Sequence, residues 1–560
     1  MVLQSKELFL KTLNELINIG KKCEIDIKES EDLRFAVEKM PLLVPVVGEF
    51  SSGKSSLLNK YLGKKILPVG ITPETAIPAE LYYSETEYDE GVYADGKIEK
   101  ITDISSAVGK CVCVRRYINS EFLKNIQPII LVDMPGFDSP LDTHNKAIFN
   151  YLDKGCHYIV ITPVDAGTIS SSMKKQIQNI LSFNKDCTFF VSKTDLKSDE
   201  ENNEVCEEIS SGLELIMGYR PKVTKLNQQD ISLFNSFINS LDPDLLVKKQ
   251  FIESIKDECF NLKNSLNTKI SALKNNKEKN KRAIEELKES LDRIKAKKER
   301  LIEAAQQKEY LTEAESVANA VGTALSRELD SLTNIAINNG KEALQEEITS
   351  IAQNTIVMET QTIMNGVTAR FSKEFSTELK SLSAVLAEYN VPDLLEKVQD
   401  SAEKLYNNAK SNIDAFINRR KNNGKEKSKA YETITAVLAI ATDIIAPIFE
   451  IIIIFLPRIL EFIFGKIQEK KREQEVRNAI STQIPSIKRQ VREKVAEVLK
   501  DNSSKIINDI SNKYDAELCK KQAEIEEAMN QVDQGTNTTQ NISDCEKGIT
   551  EVNSLLDALL

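Results

Sequence analysis

Val46-Val47-Gly48-Glu49-Phe50-Ser51-Ser52-Gly53-Lys54-Ser55-Ser56 is the stretch whose reading decides how this chain folds. It is a Gly-x-x-x-x-Gly-Lys-Ser loop, preceded by the apolar run 42–47 and followed by the helical pattern Leu57-Leu58-Asn59-Lys60-Tyr61-Leu62. A phosphate chain needs amide N–H donors aimed inward, glycines where a side chain would obstruct it, and one fixed cation. A strand, a loop and a helix N-terminus in that order supply all three. Gly48, Glu49, Phe50, Ser51, Ser52, Gly53, Lys54, Ser55 and Ser56 are therefore the candidate phosphate-binding residues. A pattern this loose arises by chance in roughly two of every hundred chains of this length. It becomes decisive only if a metal-holding aspartate and a base-reading motif follow on later strands, at loop positions facing the same pocket.

Both follow. Asp133-Met134-Pro135-Gly136 comes directly after the apolar run 128–132. An aspartate at the C-terminal end of a strand can hold Mg²⁺ through water, and Gly136 offers an unshielded N–H to a γ-phosphate. Ser192-Lys193-Thr194-Asp195 comes directly after the run 187–191. The Asp195 carboxylate can accept from the N1–H and the exocyclic amine of guanine together, a donor pair adenine lacks, while the Lys193 stem lies over the ring. The reading favours GTP over ATP. Between these motifs lies Leu67-Pro68-Val69-Gly70-Ile71-Thr72-Pro73-Glu74-Thr75-Ala76-Ile77-Pro78. A threonine there whose hydroxyl joins Mg²⁺ and whose N–H meets the γ-phosphate would order this loop with GTP and release it after hydrolysis. Thr75 is the first candidate and Thr72 the second; Ser55, Thr75 and Asp133 (through water) make up the expected metal set.

The chain has 560 residues and a formal net charge of -11, from 74 basic and 85 acidic side chains. That balance excludes a general affinity for nucleic acid but leaves room for local basic clusters. Nine cysteines, scattered and odd in number, read as reduced thiols of a cytoplasmic protein. Cys111 and Cys113 alternate with valines as one face of a strand would, and the two histidines, His144 and His157, are too few for a zinc site. The N-terminal residues space Phe9, Leu13, Leu16 and Ile17 as a helix does, without the order of a signal peptide.

Residues 5–23 and 30–40 read as two amphipathic helices. Between residues 41 and 245 short apolar runs at 42–47, 79–83, 111–114, 128–132, 158–162, 187–191 and 222–226 alternate with helices, which predicts a mostly parallel α/β sheet, with a hairpin at Asp95-Gly96. From residue 246 onward the pattern is helical. Ile284, Leu287, Leu291, Ile294 and Leu301 keep a three-four alternation interrupted by Lys298, and Ile542, Cys545, Ile549, Val552, Leu556 and Leu559 keep it unbroken. A single helix over 247–305 would run roughly 90 Å, the length of a lever rather than of a compact domain. The segment 534–539 is the clearest linker.

An apolar island at 434–464 sits inside this charged region and contains Ile451-Ile452-Ile453-Ile454-Phe455-Leu456. Asp443, Glu450, Pro447 and Pro457 argue against one transmembrane helix, because an aspartate at the bilayer centre costs about 2.5 to 3.5 kcal/mol. Arg419, Arg420, Lys421, Lys425, Lys427 and Lys429 precede it, and Lys466, Lys470, Lys471 and Arg472 follow it. Two basic flanks suit a hairpin lying on an anionic membrane surface. The other reading is a buried core where bundle helices converge, with Arg458 and Glu461 paired at helical spacing.

In motif order and wording the chain resembles the dynamin superfamily, most closely its bacterial dynamin-like branch, with the LeoA-type subgroup as one comparison. The resemblance rests on residues 48–56, 67–78 and 133–136, on the Lys-x-Asp of 193–195, and on the long helical C-terminus. It implies an α/β P-loop GTPase domain, with a mostly parallel sheet, joined to an extended all-α helical-bundle stalk. The corresponding boundaries are neck helices in 1–40, the GTPase domain in 41–245, neck and trunk helices in 246–430, a membrane tip in 431–465 and returning helices in 466–560. It implies Ser51, Lys54, Thr75 and Gly136 as catalytic residues, GTP or GDP and Mg²⁺ as ligands, and a monovalent cation near Ser51 in place of an arginine finger. It also implies a homodimer or higher homo-oligomer, paired across the nucleotide, that associates peripherally with membrane and couples hydrolysis to stalk movement. The alternative is a regulatory switch whose stalk binds a protein partner without entering lipid. Phe50 stands where eukaryotic dynamins carry glutamine, so that residue's help to the attacking water is not transferred. Ser192 replaces an asparagine or threonine, and its hydroxyl can still bond the phosphate loop.

Overall fold

The computed structural model describes residues 3–49, 51–68, 77–93, 97–107, 110–136, 154–182, 185–227, 230–307, 310–379, 384–403, 460–461, 473–534 and 537–559. Phe50, Thr72, Thr75, the Asp95-Gly96 turn, His144, Arg458, the basic flanks and the tip residues Ile451 to Leu456 lie outside the described residues.

The run at 42–47 becomes β1 (Leu42–Gly48), buried at every position, as a strand covered on both faces must be. The other strands are β2 (Ala79–Tyr83), β3 (Tyr88–Tyr93), β4 (Ile98–Ile101), β5 (Cys111–Ile118), β6 (Ile129–Asp133), β7 (His157–Pro163), β8 (Asp186–Ser192) and β9 (Val223–Lys225). They form one sheet in the order β4-β3-β5-β2-β6-β1-β7-β8-β9. β1 lies parallel to both β6 and β7, and β7, β8 and β9 continue in parallel. β2 and β5 are parallel to each other, whereas β2 with β6, and β3 with both β4 and β5, are antiparallel. β5 runs four residues past the expected 111–114. Its polar end is satisfied across the sheet, Arg115 by Glu80 and Arg116 by Asp89.

The described helices are α1 (Gln4–Lys22), α2 (Lys28–Lys39), α3 (Lys54–Leu62), α4 (Glu121–Asn125), α5 (Ser171–Ser182), α6 (Asp199–Met217), α7 (Ser232–Ser240), α8 (Pro243–Lys274), α9 (Lys277–Gln307), α10 (Leu311–Arg327), α11 (Leu329–Asn338), α12 (Gly340–Leu379), α13 (Ala384–Ala387), α14 (Val391–Glu403), α15 (Glu473–Asp533) and α16 (Thr538–Leu559). One sheet face, with Leu43, Val47, Val160 and Val191, packs under Met173 and Ile177 of α5 and Ile209 and Leu213 of α6. On the other face Leu42, Val44 and Val46 share a core with Leu58 and Tyr61 of α3, Phe234 of α7, Phe251 and Ile255 of α8, Leu13 and Leu16 of α1 and Val552 of α16. The helices flanking the sheet in sequence are thus built into its core. A separate core holds α9 to α15 together.

The single helix expected over 247–305 is corrected to two, α8 and α9. Asn275 is extended (φ -81°, ψ 153°), Asn276 Oδ1 accepts from Lys279 N at 2.9 Å, and Asn280 Nδ2 donates to Ala272 O at 2.8 Å. Asparagine side chains at this spacing satisfy helix-end groups and so end one helix and start the next. The long rod is α15 instead, whose 61 residues span about 90 Å.

Lys298, which interrupts the heptad pattern of α9, faces carboxylates on α15, Asp509 and Asp515. Asp509 is half-buried, and its Oδ2 has no hydrogen-bond partner among the described residues. Burial pushes its carboxyl up to about 7, against the opposing charges of Lys513, Lys298 and Lys505. The folded value lies above the ordinary 3.8, so the ionised group costs stability above pH 7, and the cost fades as pH falls toward 4. Asp509→Asn should therefore raise the urea midpoint at pH 8, by an amount corresponding to about 1 to 3 kcal/mol. The gain should shrink when the same melts are repeated toward pH 4.

Candidate nucleotide site

The loop between β1 and α3 is shaped by backbone that only certain residues allow. A Cβ on Gly48 would lie 2.3 Å from Ile161 O and 2.7 Å from Ser52 Oγ, so glycine is required there. Gly53 has φ +88° and Ser51 has φ +60°, a left-handed backbone that a non-glycine residue adopts at a cost. This turn brings the chain round to the N-terminus of α3, where amide donors collect.

Lys54 occupies the first position of α3 and is buried. Its Nζ donates to Gly48 O and Glu49 O, each at 2.9 Å, and lies 3.4 Å from Ser52 Oγ. Burial pulls its ammonium down to about 8, with the Asp133 and Glu49 charges opposing. One residue on, Ser55 Oγ donates to Asp133 Oδ2 at 2.8 Å. Asp133 ends β6 directly beside Val46 of β1, and Met134 N donates to Val46 O at 3.3 Å. Burial pushes the Asp133 carboxyl up to about 6, against the Ser55 hydrogen bond and the Lys54 charge.

Asp133 Oδ1 is buried without a hydrogen-bond partner among the described residues. A buried carboxylate oxygen with spare capacity, next to a serine hydroxyl, is a hard oxygen donor set of the kind Mg²⁺ prefers. Ser55 and Asp133 therefore fit the metal, whereas Thr75 lies outside the described residues. Gly136 is buried three residues beyond Asp133 on the same stretch.

The base-reading turn is tied to the phosphate loop directly. Ser192 Oγ donates to Ser52 O at 2.6 Å, so serine does the bonding expected of its hydroxyl. Lys193 adopts φ +55°, and its Nζ lies 3.5 Å from Asp165 Oδ2. Asp195 sits in a short 3-10 turn, Thr194–Leu196, with its carboxylate exposed.

Two residues that the motifs do not include, Asn202 and Asn59, hold this region together with Thr194 of the turn itself. Asn202 Nδ2 donates to Thr194 O at 2.8 Å and Lys197 O at 3.3 Å, fixing the turn from α6. Thr194 Oγ1 donates to Leu226 O at 3.1 Å, which places Asn227, just beyond β9, on the same rim. Asn59 of α3 donates to Leu67 O at 2.7 Å and accepts from the N–H groups of Ile66 and Leu67, anchoring the start of the threonine loop. A polar residue buried inside a helical pattern is the only sequence signal for Asn202 and Asn59.

Residues 44–195 match the family model described as Dynamin family. An uncharacterised protein from a xynA 3′ region of Caldicellulosiruptor sp. is 27% identical over 32% of this chain and 46% of its own. Dynamin-like protein 2 of Campylobacter jejuni is 34% identical over 20% of this chain and 19% of its own. The chain thus spans less than half the length of each of these relatives. A solved structure described as an oligomerised bacterial dynamin pair aligns with 90% of this chain and 91% of its own, at 16% identity and a TM-score of 0.32, too loose to equate the folds in detail. The candidate phosphate loop, metal-side aspartate and base-reading turn are joined on one rim of the sheet, and the match to the Dynamin family across residues 44–195 spans all three.

Proposed function

We propose that this chain binds GTP with Mg²⁺ and hydrolyses it to GDP and phosphate. The observation that carries the reading is the Ser55–Asp133 hydrogen bond at 2.8 Å beside a buried Lys54, on a loop joined to the base-reading turn through Ser192. The Lys54 ammonium neutralises phosphate charge, the loop amides orient the phosphate oxygens, and Gly136 supplies a further N–H at the terminal phosphate. Asp195 selects the base. When bound, Mg²⁺ neutralises charge on the terminal phosphates. Ser51, Thr75 and a monovalent cation complete the reading as contributors to hydrolysis.

The same reading includes pairing of two GTPase domains, stalk movement and contact with an anionic membrane. Support for the stalk movement comes from packing. Tyr61 of α3 lies against Phe122 and Phe234, with ring centroids 5.1 and 5.5 Å away, inside the core that holds Phe251 and Ile255 of α8. A shift of α3 on phosphate loss would disturb a close-packed core shared with the first stalk helix. No helix among the described residues is long and apolar enough to cross a membrane, and the tip reading rests on sequence alone.

Phosphate release from purified protein tests the chemistry: turnover of GTP well above ATP, lost with EDTA, is the expected result. A rate that rises faster than enzyme concentration is expected from paired domains. Co-sedimentation with anionic liposomes should be lost in the double variant Ile452→Asp, Ile454→Asp; unchanged sedimentation would remove the membrane tip and leave the partner-binding switch as the better reading.

A further inference from the structure

Resting on the GTP reading above, we infer that Asn202, a residue outside the Lys-x-Asp motif, is a positioning residue that sets how strictly the site selects guanine, by holding the turn on which Asp195 stands. Asp195 does not place itself. Its carboxylate is exposed and takes no hydrogen bond from a described residue. Its turn follows Lys193, whose φ of +55° is a left-handed backbone that costs energy to keep. Two carboxylate oxygens meet the N1–H and the exocyclic amine of one base edge only while that turn keeps its place on the rim.

Asn202 supplies the constraint. Ser198 and Glu201 form a capping box that starts α6 at Asp199, so Asn202 ends the first turn of the helix. Side chains on a helix lean toward its N-terminus, and this one reaches back over the base-reading turn. Nδ2 gives one hydrogen to Thr194 O at 2.8 Å and the other to Lys197 O at 3.3 Å, which brackets Asp195 on both sides. α6 is itself fixed against the sheet through Val205, Ile209 and Leu213, so the bracket is tied to a rigid element. Stability alone gives a poor account of this side chain. Asparagine is a weak helix former, Asn202 is only 3% exposed, and its Oδ1 has no hydrogen-bond partner among the described residues. A buried, half-satisfied amide is a cost that an aliphatic side chain would avoid, and what asparagine adds is the pair of donors aimed at the turn. The Thr194 hydroxyl bonds Leu226 O independently, so without Asn202 the turn loosens rather than detaches.

Calorimetric titration of the full chain with Mg²⁺ tests this, comparing GTP with inosine triphosphate, which keeps the N1–H and lacks the exocyclic amine. Asn202→Ala and Asn202→Leu both remove the donors, the second at similar volume. In each, the ratio of GTP to inosine triphosphate affinity should narrow by about tenfold, as expected when one hydrogen bond is no longer held in place. Affinity for inosine triphosphate should change less than affinity for GTP, because the phosphate loop is untouched. Thermal melts check that each variant has folded. Folded variants that keep the parent's ratio, whatever their overall affinity, would overturn the inference, because the amide would then be structural only. Failure of both variants to fold would overturn it on the same ground. A parent chain that prefers GTP neither to inosine triphosphate nor to ATP would instead sink the GTP reading itself.

Discussion

Lys54→Ala should lower GTP turnover by at least about 10²- to 10³-fold, because the transition state loses the buried ammonium at the phosphate loop. The far-UV spectrum should be retained, since Lys54 bonds only to its own loop and to the terminal residue of β1, Gly48. The titration of the site gives an independent check. In the free pocket burial holds the Lys54 ammonium down to about 8, and a bound triphosphate must raise it again. GTP binding above about pH 8 should therefore take up a proton, seen as a dependence of the calorimetric heat on buffer ionisation enthalpy. Asp133 behaves in the opposite sense. Its carboxyl is pushed up to about 6 in the free pocket, and a nearby divalent cation lowers it, so binding below about pH 6 should release a proton. Lys54→Arg should abolish the uptake above pH 8 while leaving the release below pH 6. Undiminished hydrolysis by Lys54→Ala would place the chemistry in another pocket.

The parts of this fold that could be read from the chain are those where one local rule decides. β1 is an uninterrupted apolar run because both faces are covered, and the loop after it needs glycine where Ile161 O approaches to 2.3 Å of a would-be Cβ. Ser192 was legible for the same reason, a hydroxyl in place to bond the phosphate loop, and it does so at 2.6 Å. What could not be read depends on partners far away in sequence. Arg115-Arg116-Tyr117 looks like the end of a strand, yet Glu80 and Asp89 satisfy both arginines and the strand continues. The break at Asn275 was hidden because apolar spacing runs on either side of it and masked the preference of its asparagines for helix ends. Tyr389, more than a hundred residues later, bonds both Asn275 and Asn280 and closes the break. Asn202 and Asn59 were missed on the same grounds, since nothing local marks the carbonyls they hold.

Asp195→Asn should change which base the site accepts, and the direction follows from counting donors and acceptors. The carboxylate offers two acceptors, matched by the N1–H and the exocyclic amine of guanine. An asparagine amide offers one acceptor and one donor. Its complement is a ring with the same N1–H and a carbonyl at C2, which is xanthine. Guanine would then face a donor with its own amine, and two donors held against each other without an acceptor are costly. Discrimination on the order of 10⁴-fold is typical of sites built on such pairs, so the ratio of XTP to GTP affinity should move by about that much. The fold should tolerate the change: Asp195 is exposed in its 3-10 turn, and that turn is held by Thr194 and Asn202 rather than by the carboxylate. Competition of GTP and XTP against a fluorescent guanine nucleotide measures the ratio directly. Equal loss of both nucleotides would mean that Asp195 holds the loop instead of reading the base. An unchanged preference for GTP would move base selection to the rim near Asn227, the other residue that Thr194 brings to this edge through Leu226.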